Sequence, residues 1–203
     1  MFLFIPIAKQ IYSVYYSESK KTGAKMNEPL KIGEPAPDFN LPGTDGKNYC
    51  LNSFNDKTGL IVIFSCNHCP YVMAYEDRII CVQADYKEKG IQVVAINSND
   101  SSAYPEDSFE NMKLRAQKKL FNFPYLRDET QELAKSFGAT HTPEIFLFDK
   151  ERKLAFHGKI DDNWNDEKNI RNKYLRNALD EMLAGEAISM PETFTIGCTI
   201  KWK

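Results

Sequence analysis

The chain has 203 residues, 42% of them apolar and 27% charged, which suits one globular domain with extensions and a core needing no metal or disulfide staples. Lys and Arg total 26 against 28 Asp and Glu, and the resulting net charge of -2 excludes a nucleic-acid binder that relies on excess cations. Five cysteines, an odd number, leave at least one thiol unpaired and point to a reducing, cytoplasmic setting or to redox catalysis rather than to a disulfide framework.

Met1–Ala8 (MFLFIPIA) is apolar, but Pro6 breaks it and Lys9 follows. Tyr12, Tyr15, Tyr16 and the pair Lys20-Lys21 come next. A spanning helix needs about 20 apolar residues, so no stable membrane insertion is expected. Neither the basic start nor the small-residue cleavage site of a secretory signal is evident. Residues 1–30 are read as an amino-terminal extension: disordered, an over-long start ahead of Met26, or a segment for export or an organelle.

From Leu30 onward the pattern is regular, and residues 31–185 are expected to form the domain. Asp38–Leu41 and Asn48–Leu51 flank the turn Pro42–Gly46 and predict a hairpin. Leu60–Phe64 (LIVIF) is a continuous apolar run of strand length, the pattern of a strand buried on both faces. Val72, Tyr75, Ile79, Val82 and Tyr86 then recur at steps of three and four, one face of a helix that Gly90 stops. Ile91–Ile96 is a second buried strand. An insertion near residues 98–120 carries a loop and a helix over about Asp107–Leu120. A short strand near Pro124–Leu126 and a helix from about Glu129 to Phe137 follow. Glu144–Phe148 and Lys153–Phe156 make a second hairpin. Ile170, Tyr174, Ala178 and Met182 mark a last helix, and residues 186–203 are a tail. Strands alternating with helices imply an α/β protein, a mixed sheet between helical layers.

Cys66-Asn67-His68-Cys69-Pro70 falls where the apolar strand ends and the helix begins. Unpaired N–H groups and the helix dipole favour a thiolate at such a place, and cysteines there fall from about 8.5 to roughly 3.5–7.5. Cys66 is therefore expected to attack and Cys69 to resolve the mixed disulfide. A partly protonated His68 between them would further stabilise the thiolate.

With these residues the chain resembles the thioredoxin-like superfamily, in its redoxin branch of thiol-disulfide oxidoreductases and peroxiredoxin-like proteins. The resemblance spans about Ile32–Gly158 and rests on Gly33–Phe39, on Phe64–Pro70, and on Thr142-Pro143-Glu144 ahead of Ile145–Asp149. The Cys-X-His-Cys-Pro site and the tail Gly-Cys-Thr-Ile-Lys-Trp are similar to a peroxiredoxin-like subgroup. The resemblance implies a thioredoxin-like three-layer sandwich with an amino-terminal hairpin and a helical insertion. It also implies a cis peptide at Thr142–Pro143, although most X–Pro bonds are trans. The Thr142 backbone would then offer a ledge to a substrate strand, and Pro143 would keep metal or a second thiol from Cys66.

The chain departs from its resembled relatives at two places. Thioredoxins carry a buried acid six residues before the first cysteine, where this sequence has Leu60. Glu144 is the candidate replacement for accepting a proton from the resolving thiol, although an exposed strand carboxylate is the plainer expectation. Peroxiredoxins use Pro-x-x-x-Thr-x-x-Cys; counting back from Cys66 gives Ile63 and Gly59, and from Cys69 gives Cys66 and Val62. Neither register supplies the motif.

Cys50 and Cys81 are expected against the core, His141 and His157 as structural residues, and Cys198 as a candidate third redox thiol. A zinc site needs a second close pair of ligands, and the remaining Cys and His are scattered singly, so no metal or other cofactor is expected. The sequence reading is thus a thiol-disulfide oxidoreductase acting on protein or small-molecule disulfides with an external thiol reductant or oxidant. A thiol peroxidase and a non-catalytic thioredoxin-fold binding protein are the alternatives.

Overall fold

The computed structural model describes residues 28–203; the apolar Met1–Ala8 segment, the tyrosines after it and Met26 lie outside the described residues. The first hairpin is a small sheet of its own, β1 (Asn40–Pro42) antiparallel to β2 (Asn48–Cys50). The main sheet then begins with β3 (Gly59–Ser65), followed by α1 (Pro70–Tyr86), β4 (Ile91–Asn97), α2 (Phe109–Lys119) and β5 (Tyr125–Arg127). Next come α3 (Glu132–Phe137), a short β6 (His141–Thr142), β7 (Glu144–Phe148), β8 (Leu154–Gly158), α4 (Tyr174–Leu183) and a short β9 (Cys198–Thr199).

The five-stranded sheet has the order β5-β4-β3-β7-β8, so the LIVIF strand is central as expected. It runs parallel to β4 and antiparallel to β7. Successive strand side chains point to opposite faces, and both faces of β3 are apolar. Ile61 and Ile63 pack with Tyr75, Ile79 and Val82 of α1 and with Leu175 and Leu179 of α4. Leu60, Val62 and Phe64 pack on the other side with Leu133 and Phe137 of α3, and with Phe39 and Phe54 beside the hairpin. Burying each such side chain is worth about 1.5–3 kcal/mol, which makes β3 the anchor of both cores. The three-layer sandwich is therefore present, with a helical insertion carrying α2. Among the described residues no helix is long and apolar enough to cross a membrane.

Pro70 opens α1 at a position where no N–H bond is lost, and the predicted stripe from Val72 to Tyr86 is buried. After α1 a 3-10 turn at Lys87–Lys89 leads to Gly90, whose φ of 81° turns the chain into β4. Several boundaries differ from expectation. α3 starts at Glu132 instead of near Glu129, because Gln131 takes a left-handed φ of 64°. There Asp128 caps the turn, its carboxylate accepting from the Ala134 amide at 3.0 Å. Ile170 closes a separate 3-10 turn (Glu167–Asn169) and stands outside α4. Cys81 faces solvent from α1 instead of the core, and Cys50 is half-buried with its sulfur 3.4 Å from Ser53 Oγ.

The residues after Gly185 return to the domain. His157 of β8 donates its amide to Pro191 O at 2.9 Å, and Thr193 returns one to His157 O at 3.0 Å. β9 then pairs antiparallel with β6, Thr142 opposite Cys198. Ile200 is buried in the α3-side core, its amide on Thr140 O at 2.9 Å.

Candidate active site

Cys66 through Cys69 form the turn between β3 and α1, with Cys69 as the extended cap residue of the helix. Cys66 is 2% exposed and Cys69 fully buried, so neither sulfur stands proud of the surface. Thr142 lies across from both. Its Oγ1 is 3.4 Å from Cys66 Sγ, and its carbonyl oxygen lies 3.2 Å from Cys69 Sγ. The Thr142–Pro143 peptide is cis, as the resemblance implied. The expected substrate ledge is already occupied, because Thr142 pairs with Cys198 of the chain's own tail. Cys198 Sγ lies 2.8 Å from Cys69 Sγ, which brings three thiols together.

The charge preference differs from the sequence expectation. The Cys69 thiol is pushed down to about 4 by the hydrogen bond from Cys66, helped by that from Cys198 and opposed by burial. The Val72 amide acts on it as a nearby dipole, since Cys69 makes no directed cap bond. Cys66 is pushed well up by its bond to Cys69, by burial, and by the charge of Asp107. The two share one proton, and the anion rests on Cys69. Cys69, not Cys66, occupies the helix cap, which is why the dipole acts there. Cys198 is pushed up to about 11 by burial and by its contact with Cys69.

Asp107 is the residue that sequence reasoning missed. It is fully buried, delivered by a 3-10 turn (Pro105–Asp107) of the insertion. Its Oδ1 accepts from the Asn67 amide at 2.6 Å and from Asn97 Nδ2 at 3.0 Å, and its Oδ2 accepts from Asn99 Nδ2 at 2.8 Å. Its place ahead of α2 reads in sequence as ordinary helix-start acidity, so nothing local marks it. His68 Nδ1 lies 2.7 Å from Asp107 Oδ2, though not in the line of a directed hydrogen bond, and its ring stacks on Tyr104. His68 therefore lies against Asp107, with no hydrogen bond to either sulfur. Cys66 Sγ, His68 Nδ1 and an Asp107 oxygen lie within 4.8 Å of one another, the spacing of a three-ligand metal set. Both carboxylate oxygens already accept from amide groups, while His68 Nδ1 makes no directed hydrogen bond.

Glu144 is buried, contrary to the plainer expectation of an exposed carboxylate. Its Oε2 accepts from the amides of Thr140 and His141 at 2.7 and 2.9 Å, and its Oε1 lies 2.8 Å from His157 Nε2. Burial alone would raise its carboxyl, but His157 and the two amides outweigh that and hold it below the usual range. Glu144 thus pins the loop bearing Thr142 and Pro143, its lone pairs committed there. Leu60, at the position of the thioredoxin acid, is fully buried and apolar. Burial pushes the neighbouring His141 imidazole down, against the charges of Glu144 and Cys69.

The Redoxin family profile matches residues 31–174. The chain belongs to the Redoxin family. This redoxin is 25% identical over 146 residues to the thiol-disulfide oxidoreductase ResA of Bacillus cereus, covering 71% of this chain and 74% of that one. It is 26% identical over 146 residues to the peroxiredoxin Bcp of Escherichia coli, covering 69% and 88%. A crystal structure of a hypothetical protein of Sinorhizobium meliloti superposes with a TM-score of 0.82 at 38% identity, covering 87% of the redoxin and 97% of the other chain. Thiol-disulfide oxidoreduction is the chemistry on which family, fold and paired thiols agree, and peroxidase relatives stand beside it.

Proposed function

We propose that this redoxin is a thiol-disulfide oxidoreductase that cycles Cys66 and Cys69 between dithiol and disulfide. The observation that carries the reading is the placement of two buried thiols at the β3–α1 turn, both against Thr142 of the cis Thr142–Pro143 peptide. Cys66 passes its proton to the Cys69 thiolate and attacks a substrate disulfide, and one substrate sulfur leaves as thiolate. That thiolate takes the proton back from Cys69, which attacks Cys66 and releases the second sulfur. Two electrons pass from the dithiol to the substrate, and an external thiol restores the dithiol. His68, Thr142, Pro143 and Glu144 position the pair without exchanging electrons.

Disulfide-bearing proteins are the favoured substrates. Val72 and the half-buried Tyr71 pack against the thiols, and Tyr104, 37% exposed, stacks on His68 of the same turn. A reducing, cytoplasmic setting matches the odd number of thiols. Similarity to a peroxiredoxin favours a second reading, peroxide reduction. Fast peroxide cleavage needs preorganised donors for the developing charge, and the peroxiredoxin Pro and Thr are replaced in both registers.

The test compares turnover of a protein disulfide with turnover of hydrogen peroxide under one reductant. Disulfide turnover is expected to dominate. Cys66→Ser is expected to abolish turnover of the protein disulfide and Cys69→Ser to trap mixed disulfides. Undiminished turnover in Cys66→Ser would remove the assignment, and near diffusion-limited peroxide consumption would install the peroxidase reading.

A further inference from the structure

We propose that Cys198 receives the disulfide from the Cys66–Cys69 pair by exchange at Cys69 and presents it at the solvent-facing edge of the site. The proposal rests on the dithiol reading above and extends it to a third thiol and a route.

Three independent features support it. The first is distance. Cys198 Sγ stands 2.8 Å from Cys69 Sγ, and a disulfide bond is about 2.05 Å long, so closure needs under an ångström of approach. The second is that the thiol is held in place on both sides. Ahead of it, the Gly197 backbone lies directly against the Thr142–Pro143 peptide, where an added Cβ would collide with the Thr142 carbonyl. Behind it, Asn99 Oδ1 accepts the Lys201 amide at 2.9 Å, while Lys201 O accepts from the Asp100 amide and Gln131 Nε2, both at 2.8 Å. Three separate segments, Thr142–Pro143, Asn99–Asp100 and Gln131, thus hold the tail on either side of a two-residue strand whose one reactive group faces Cys69.

The third feature is access. Cys66 and Cys69 are buried, whereas Cys198 is only half-buried and its neighbour Thr199 is exposed. β9 also covers the Thr142 edge where a substrate strand would pair. A reductant too large to enter the site reaches Cys198 first.

The exchange balances without any outside oxidant. Cys198 gives up its proton and its sulfur attacks Cys69 Sγ of the Cys66–Cys69 disulfide. The new bond joins Cys69 to Cys198 as the old one breaks. The electron pair leaves on Cys66 Sγ, which takes up the proton. One disulfide replaces another, with no net redox change. An external dithiol then attacks Cys198 from the solvent side, Cys69 leaves as thiolate, and the second thiol of the reductant displaces Cys198 as the reductant closes its own disulfide.

The experiment is disulfide mapping on the full chain. Reduced protein is equilibrated with a glutathione redox buffer, acid-quenched, alkylated, digested and read by mass spectrometry. Wild type should give both Cys66–Cys69 and Cys69–Cys198 linked peptides, and Cys66→Ser should give the second alone, in monomeric protein. Cys198→Ser should keep the Cys66–Cys69 disulfide, with its reduction by a protein-sized dithiol slowed about tenfold or more. A Cys66–Cys69 linkage with no Cys69–Cys198 peptide in wild type or Cys66→Ser would overturn the relay and leave the oxidoreductase reading standing. Absence of both linkages would overturn the two together.

Discussion

Gly197 and Thr142 meet backbone to backbone: a Cβ at residue 197 would collide with the carbonyl oxygen and carbon of Thr142. Glycine at this position is what lets β9 lie on β6 and carry Cys198 to the buried pair. Gly197→Ala should therefore push the tail off the site, at the cost of about 1–3 kcal/mol typical of overpacking. Hydrogen exchange reads this locally. The Ile200 and Lys201 amides should exchange roughly five- to a hundredfold faster while β3 keeps its protection. Unchanged exchange at both would show that the contact relaxes freely.

The shared proton gives a second test. Thiolate absorbance in reduced protein should show one titration near 4, lost in Cys69→Ala. Cys66 and Cys198 both lower the Cys69 value by donating to it, so removing either should raise the midpoint. Cys66→Ala should raise it more than Cys198→Ala, following the order of their contributions. A midpoint indifferent to both variants would contradict the described hydrogen bonding.

The Glu144 pin gives a pH dependence of stability. Its carboxyl is held below the ordinary value of 4.5 in the fold. For a depressed acid the unfolded chain binds the proton first, so the stabilisation is complete above the ordinary value and lost as pH falls through the lower, folded one. Glu144→Gln should destabilise the protein at neutral pH by about 1–3 kcal/mol, since it disturbs a buried charged hydrogen-bond set. The gap to wild type should narrow below about pH 4.5 in denaturant titrations. A gap constant down to pH 3 would mean that the charge contributes nothing.

Phe64 is the last large apolar residue of β3 before the thiols, edge-on to Phe137 at 5.2 Å and to Phe146 at 5.8 Å. Phe64→Ala should cost about 3–5 kcal/mol by leaving a cavity between β3, β7 and α3. The denaturation midpoint checks it. A loss under 1 kcal/mol would mean that the aromatic cluster repacks.

What was legible in the sequence is what local pattern encodes. The Leu60–Phe64 run announces a strand buried on both faces, and the stripe from Val72 to Tyr86 announces its helix, because an unbroken apolar run and a recurrence at three to four are written in neighbouring residues. Gln131 shows where this fails: its left-handed backbone is imposed by the Asp128 turn and by bonds from Gln131 to Ser98 and Lys201, none of which a propensity conveys. Cys81 was misplaced because small apolar thiols carry little directional signal within a helix. The same holds at the site. Cys66 and Cys69 were visible by spacing. Asp107, the His157 partner of Glu144 and the docking of Cys198 depend on contacts across long stretches of chain, and no window of sequence contains them.

The site is assembled from residues far apart in the order of synthesis. Cys69 and Cys198 are separated by 129 residues, and a growing chain adds about 5–20 residues per second, so roughly 6 to 26 seconds separate their translation. During that interval the dithiol exists without the strand that covers it. A nascent chain thus passes through a stage in which its most reactive pair is open to oxidants and to other unfolded chains, and that exposure ends only when β9 is made and docks.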